Sequence, residues 1–187
     1  MLRSYISTWA VCLGIFSLVS CENDMAKVAA MNRKATYVEV AHGIHMDFWQ
    51  NGKTYARATL TAPYMLRYND TPRIEFPQTL HTDFYNDSTF KVESRLDAHY
   101  GIYYEIQNKV YLRDSVKIVN LAKRDTIHCE DLYWDQNTGK FYTHKSVRIY
   151  EPTQVIFGKG MESTQDFGNV TIDTVTGVVQ VQSGQLP

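Results

Sequence analysis

Six histidines and several aspartates are the residues of this sequence that could bind a metal or act as acid and base. The closest histidine pair, His42 and His45, is three residues apart, and side chains at that spacing on a strand point to opposite faces. The run His128 to Asp131 holds adjacent ligand-type residues, whose side chains would also diverge. No nucleophile elbow, zinc-protease helix or phosphate-binding loop is present. We predict no catalytic residue, no metal site and no cofactor. Acid–base catalysis would need two carboxylates close together, and the sequence alone does not place any two of these four side by side: Asp83, Asp97, Asp131 and Asp135.

Covalent modification is instead predicted at one cysteine near the N-terminus. A charged Arg3 precedes a mostly apolar, uncharged stretch from Ile6 to Val19, as in a secretory signal peptide. Leu18 to Cys21 then matches a bacterial lipobox, in which the cysteine that follows the cleavage site receives a diacylglycerol. An uncleaved anchor is the alternative, although the stretch is shorter than the roughly 20 residues that span a bilayer. We predict a signal peptide over 1–20 and a lipidated tether over 21–36.

The cysteines and the net charge further limit the class of protein to which this chain could belong. If Cys12 leaves with the signal peptide and Cys21 is acylated, Cys129 is the one cysteine left, and we expect it to be a small buried apolar residue. The net charge is −1 and no basic block occurs, so nucleic acid is not an expected partner.

From Tyr37 onward the sequence has the pattern of β-strands. Phe90, Val92, Leu96 and Tyr100 alternate with charged or polar residues, so one face of the strand is apolar. Short turn signals recur, and no helical stripe of useful length appears. We predict an all-β domain over 37–187, built from stacked antiparallel strands. The expected turns are at Asn51–Gly52, Asn86–Ser88, Asn137–Gly139 and Thr176–Gly177.

A repeat of 36 residues is also suggested by the sequence. Leu60 begins a short motif that recurs at Leu96 and at Leu132. Copies of this length could not bury an apolar face alone, so we expect them to stack and share one core.

The apolar strand residues could serve in either of two ways. They could fill the core of a sandwich, or two sheets could diverge and leave an apolar groove for acyl chains. Composition does not separate these alternatives. The residues expected on the inward, groove-lining side are Phe76, Leu80, Phe84, Phe90, Val92, Leu96, Tyr100, Val110, Leu112, Val116, Ile118, Leu132, Trp134, Phe141, Val147 and Ile149.

Several short motifs, taken in order, resemble a known family. The chain from Val38 to Val181 is similar to LptC, the periplasmic component of the lipopolysaccharide exporter, which shares the OstA-like fold of LptA. The motifs that carry the resemblance are Ala56-x-x-x-Leu60-x-Ala62-x-Tyr64, Leu96-x-Ala98-x-Tyr100, Leu132-x-Trp134-Asp135, Gly139-Lys140-Phe141 and Gly158-x-Gly160-Met161-Glu162-Ser163 with Asp166-Phe167.

The resemblance implies an open, twisted β-jellyroll that binds lipopolysaccharide and catalyses no reaction. It implies that strands near Tyr37 to Trp49 face an inner-membrane ABC transporter of the LptB/LptF/LptG type. It also implies that the last strands bind an LptA-like periplasmic bridge protein through an exposed edge. The residues expected at that edge are Val170, Ile172, Val178, Val179 and Val181.

The lipobox departs from the family pattern, because many members keep an N-terminal transmembrane helix. The sequence thus predicts a lipid-anchored protein at the periplasmic face of the inner membrane. Anchoring in the outer membrane is the alternative location. Other functions also stay open: the bridge component itself, or a structural or adhesion lipoprotein with a filled core. A glycan-binding or glycan-degrading lipoprotein would need exposed aromatic platforms with paired carboxylates, which we do not expect here.

Overall fold

Alternating apolar and polar residues form eleven β-strands in the part of the chain that the computed structural model describes, residues 37–49 and 54–181. These residues contain no helix that is long and apolar enough to cross a membrane. The predicted signal peptide, Cys21, the tether and the Asn51–Gly52 turn lie outside them. The strands are β1 (Val38–Trp49), β2 (Ala56–Tyr68), β3 (Arg73–Phe76), β4 (Leu80–Tyr85), β5 (Val92–Ala98), β6 (Tyr100–Tyr104), β7 (Lys109–Asn120), β8 (Asp125–Asp135), β9 (Lys140–Glu151), β10 (Gln154–Thr164) and β11 (Val170–Gln180).

All of these strands belong to one antiparallel sheet. Its order is β11-β10-β9-β8-β7-β5-β4-β2-β3-β6, with β1 paired to β2 and β6 paired back to β7. Two bridges therefore join β2 to β7: β4 and β5 connect one half of each strand, and β3 and β6 connect the other half. Among the described residues, β1 and β11 each pair with a single neighbour.

A line of backbone irregularities crosses this sheet. β5 gives way to β6 at His99, and register shifts occur at Arg113–Val116 in β7 and at Cys129–Tyr133 in β8. In β10 the shift falls at Gly160, whose φ is +73° and where an added Cβ would clash with the side chain of Asp173. Bulges bend and twist the strands that contain them. A line of bulges therefore allows the sheet to fold over onto its own apolar face.

Contacts of Phe84 join the two layers that result. Phe84 lies on β4, whereas Trp134 and Phe141 are register partners on β8 and β9. The ring centroid of Phe84 is 6.2 Å from that of Trp134 and 5.6 Å from that of Phe141, and both contacts are edge-to-face. Buried residues of β2 to β10 form one continuous apolar cluster. The all-β prediction with stacked antiparallel strands is confirmed.

The turn between β10 and β11 fastens one end of the two layers. The Ser94 hydroxyl donates a 2.8 Å hydrogen bond to the backbone carbonyl of Asp166, and the Asn120 amide donates to the carbonyls of Asp166 and Phe167 at 3.3 and 3.2 Å. The Phe167 side chain is 1% exposed and contacts the rings of Phe84 and Phe141. The turn is thus bound to both layers by polar and aromatic contacts.

One expected turn is wrong. Thr176 and Gly177 do not form a turn, because they lie inside the continuous strand β11 next to a register shift. Leu60, Leu96 and Leu132, which begin the copies of the 36-residue motif, are all buried in one apolar cluster, as expected. Their pairing differs, because Leu96 pairs with Ile118, whereas Leu132 pairs with Leu112 on the other side of the bulge in β7.

Replacement of Phe167 by alanine tests the role of this turn. We expect Phe167→Ala to lower the free energy of unfolding by about 3–5 kcal/mol, because it empties a fully buried aromatic site between the layers. Ile106→Ala is the control, since Ile106 is 79% exposed and its truncation should change stability by less than about 0.5 kcal/mol. Urea denaturation of both variants measures the difference. Equal midpoints for the two would contradict the fastening role.

Candidate functional site

Most residues expected on the inward side of the strands are buried in the interior. Thirteen of the sixteen are at most 7% exposed, as expected for alternate positions on strands that pack face to face. The structure thus gathers them into one apolar cluster, although lipid binding by that cluster stays a prediction. The thirteen are Phe76, Leu80, Phe84, Leu96, Val110, Leu112, Val116, Ile118, Leu132, Trp134, Phe141, Val147 and Ile149.

Of the other three residues, Phe90 and Tyr100 lie outside the interior, each for its own physical reason. Phe90 has a positive φ in the β4–β5 connection and is 59% exposed, with its ring against Tyr55. Tyr100 begins a new strand after the break at His99, which reverses the alternation. Its ring lies 4.2 Å from the Arg113 guanidinium on the outer face. The inward prediction is therefore wrong for Phe90 and Tyr100. Val92 is half-buried at the start of β5.

Sequence reasoning missed part of the interior. Ile44, Met46 and Phe48 on β1 are half-buried and pack against the apolar cluster. Their period-two alternation with His45 and Asp47 was a usable signal. Other missed members are Leu60, Ile74, Ile127, Met161 and Phe167.

The space between the layers is small. A cavity of about 20 Å³ remains at the centre, and its lining is apolar apart from Thr82. Such a volume is close to that of one or two water-sized spheres, whereas pockets for organic ligands commonly have about 300–1,000 Å³. In this conformation the interior is closed. The lining includes Met46, Phe48, Leu80, Tyr103, Leu112 and Trp134.

A larger surface cleft adjoins this closed interior. It has a volume of about 550 Å³, and its lining includes Trp49, Arg57 and Gln136 as well as Phe48 and Trp134. Phe48 and Trp134 line the central cavity too, and their rings meet edge-to-face at 5.6 Å. The Nε1 of Trp134 is buried without a hydrogen-bond partner among the described residues. The Phe48–Trp134 contact therefore lies where the cleft meets the interior.

The histidines and carboxylates give no arrangement that resembles a metal centre. Within the described part of the chain, no three His, Cys, Asp or Glu side chains are grouped closely enough to hold an ion. His81 lies 2.7 Å from Asp97 and 3.3 Å from Asp83, and Arg95 lies 3.2 Å from Asp83. These partly exposed cross-strand contacts form an ion-pair network on the outer face, of the kind that contributes little stability.

Cys129 is a buried packing residue, as expected. Burial, with the neighbouring Asp131 carboxylate, raises the pKa of its thiol to about 12. The reactive thiolate is therefore scarce at neutral pH.

An outward row of aromatic residues was not expected. Tyr111, Tyr133 and Tyr142 are register partners on β7, β8 and β9, with ring centroids 4.7 and 5.2 Å apart. Burial is the main reason that the pKa of the Tyr111 and Tyr133 phenols is raised. The same alternation that buries Leu112 and Leu132 turns these half-buried rings outward.

The two end strands leave long edges accessible. β11 is one strand of 11 residues, not two short ones, and pairs only with β10 among the described residues. Val178 and Val179 are about half-exposed, and Val170, Ile172 and Val181 are intermediate. β1 has 12 residues and presents Val38 and Val40. Binding of a partner at either edge stays a prediction.

Comparison with models of known protein families gives a match over nearly the whole chain. The model of a family described as "Lipopolysaccharide-assembly, LptC-related" matches residues 8–180, which include all eleven strands. No curated protein matches the chain.

Proposed function

The chain belongs to the LptC-related family of lipopolysaccharide-assembly proteins, and from this premise we propose that it is a lipid-transfer module of the lipopolysaccharide exporter. It would receive lipopolysaccharide from an inner-membrane ABC transporter and pass it to an LptA-like bridge protein. The observation that carries the proposal is the apolar interior, which adjoins a surface cleft at Phe48 and Trp134. Lipid transfer requires that the acyl chains be shielded from water. It requires no catalytic group.

The energetic case for such a module follows from the hydrophobic effect. Exposure of a 14-carbon acyl chain to water costs on the order of 10 kcal/mol, at about 0.8 kcal/mol per methylene. A lipid with several such chains needs an apolar path across an aqueous compartment. The inward face of this sheet supplies apolar side chains from β1 to β10.

The closed interior implies that the layers part before an acyl chain is bound. We propose that they part beside β1. This strand pairs only with β2 among the described residues, and its inward side chains Ile44, Met46 and Phe48 are half-buried. Elsewhere the layers are continuous through the bulged strands or fastened by Phe167. Separation of Phe48 from Trp134 would join the 550 Å³ cleft to the interior.

A structural lipoprotein with a filled core is the second candidate. The small central cavity favours it, because the interior contains no space for a ligand in this conformation.

Photo-crosslinking at β1 distinguishes the two candidates. A photoreactive phenylalanine analogue at Phe48, which replaces one aromatic ring with another, should form an adduct with lipopolysaccharide in living cells. The same analogue at Asp47 should not, because Asp47 is the next residue on the strand and faces outward. Immunoblots for lipopolysaccharide on the purified protein measure the adducts. Equal adducts at both positions, or none at Phe48, would contradict transport through the interior.

We further propose that the two end strands bind the two partners, β1 the transporter and β11 the bridge protein. Exposed edges are normally protected against association, and a charge on the edge is one common protection. β11 instead presents Val175, Val178 and Val179 to solvent. An edge of this kind suits pairing with a strand of another protein.

Lysine substitutions at the two edges test this assignment. We expect Val179→Lys to reduce co-purification of the bridge protein severalfold and to leave the transporter bound. Val40→Lys, at a similarly exposed position of β1, should do the reverse. Both positions are exposed, so the folded state should tolerate the charge. The assignment would be refuted if either variant lost both partners. It would also be refuted if both variants kept both partners.

Anchoring through an acylated Cys21 is proposed in place of a transmembrane helix. Two or more acyl chains give a durable anchor, whereas one gives only marginal binding. Cys21→Ala should abolish incorporation of labelled palmitate into the protein, and Cys12→Ala should not. Equal labelling of the Cys21→Ala variant and the unmodified chain would disprove lipidation.

A further inference from the structure

Three cationic residues form a row on the outer face of the sheet. Lys117 on β7 pairs in register with His128 on β8, and His128 pairs with Arg148 on β9. All three are exposed, whereas their neighbours along each strand are buried. Adjacent strands are about 4.8 Å apart, so the row spans about 10 Å.

This row lacks the anionic partners that would normally balance it. Cations directly opposite each other on neighbouring strands repel. Asp97 is the register partner of Lys117 on β5, but its carboxylate is bonded to His81 at 2.7 Å. The Arg148 guanidinium instead donates to the Tyr150 hydroxyl at 3.2 Å. Among the described residues, no carboxylate lies within 4.0 Å of a side-chain nitrogen in the row.

The electrostatic field at the row is correspondingly positive. Burial lowers the pKa of the His128 imidazole, and the charges of Lys117 and Arg148 lower it further. Other charged or titratable groups at this part of the sheet include His81 and Asp97, which contact each other, His99 in the same cleft, Glu130 on β8, and Lys159 on β10, the register partner of Ser146.

Two surface clefts meet at the row. One has a volume of about 710 Å³ and is lined in part by Ser115, Lys117 and His128. The other has about 510 Å³ and is lined in part by Ser115, His128, Ser146 and Arg148. Ser115 and His128 line both clefts. The row therefore lies along a concave surface of ligand size that also offers two hydroxyl groups.

We propose that Lys117, His128 and Arg148, together with the hydroxyls of Ser115 and Ser146, bind a phosphate monoester. A monoester carries about −1.5 to −2 charges at neutral pH and has three acceptor oxygens. Arginine can donate two parallel hydrogen bonds to such a group, while lysine supplies a point charge. The phosphate could be free or borne by a lipid headgroup. The three cationic side chains lie on the outer face, and the proposal does not depend on the transport proposal.

Binding should depend on pH through His128. A bound phosphate favours the imidazolium form, so it should raise the lowered pKa of His128. Affinity should then fall as the pH rises through the pKa of His128 in the complex. It should also stop rising below about pH 6, where the monoester takes up its own second proton and loses charge.

NMR titration of the His128 ring in the full chain, purified in detergent, tests the site. Inorganic phosphate should raise the pKa of His128, and sodium chloride at equal ionic strength should not. Lys117→Gln/Arg148→Gln should weaken phosphate binding by at least about tenfold, because two charge-assisted contacts with the phosphate are lost. The control Lys91→Gln/Arg124→Gln removes the same charge from exposed positions in the β4–β5 and β7–β8 connections and should bind normally.

Two soluble short-chain lipids separate the possible sources of the phosphate. Dihexanoyl phosphatidic acid carries a monoester, and dihexanoyl phosphatidylcholine, which does not, is the control. Tighter binding of phosphatidic acid than of inorganic phosphate, lost in Lys117→Gln/Arg148→Gln, would assign the site to a lipid headgroup. Equal binding of the two would assign it to a free phosphate. A response that chloride reproduces, or that both double variants share, would overturn the proposal.

Discussion

A single antiparallel sheet with one apolar face must cover that face, and in this protein it does so by folding onto itself. The bulges at Arg113–Val116, Cys129–Tyr133 and Gly160 make the fold possible, because each bends its strand at a corresponding point. The turn between β10 and β11, which contains Phe167, then joins the two layers at a place where no strand runs from one layer to the other. The two bridges between β2 and β7, the position of the interior and the two free end strands are all consistent with this one constraint.

The closed interior and a lipid-binding function are energetically compatible. In the closed state, Phe84 contacts Trp134 and Phe141. If acyl chains came between these rings, apolar contacts within the protein would be exchanged for apolar contacts with the lipid. Neither state exposes the apolar face to water, so the hydrophobic effect favours neither strongly. The barrier would then depend mainly on the contacts that are broken first, such as that between Phe48 and Trp134.

The fold class and most of the interior could be predicted from alternation alone, because strands impose a period of two. That reasoning correctly predicted that Leu96 and Val110 are buried. It failed where an irregular backbone interrupts the inward–outward alternation of side chains. Tyr100 follows a break in the strand, and Phe90 lies in a connection with a positive φ. Phe167 lies in a turn, where periodicity has no meaning, and its burial depends on residues more than 70 positions away, such as Ser94.

Within residues 37–49 and 54–181, the folded sheet leaves one edge of β1 and one edge of β11 without a strand partner. Long apolar edges promote unwanted association in a protein that stands alone. Their retention on β1 and β11 is therefore easiest to explain if each is covered in a complex, which agrees with the family to which the chain belongs. Strand addition at both edges would extend the same inward apolar face from one protein into the next. A fold with free edges can thus continue a lipid path across protein boundaries, which a closed barrel of the same sequence length could not do.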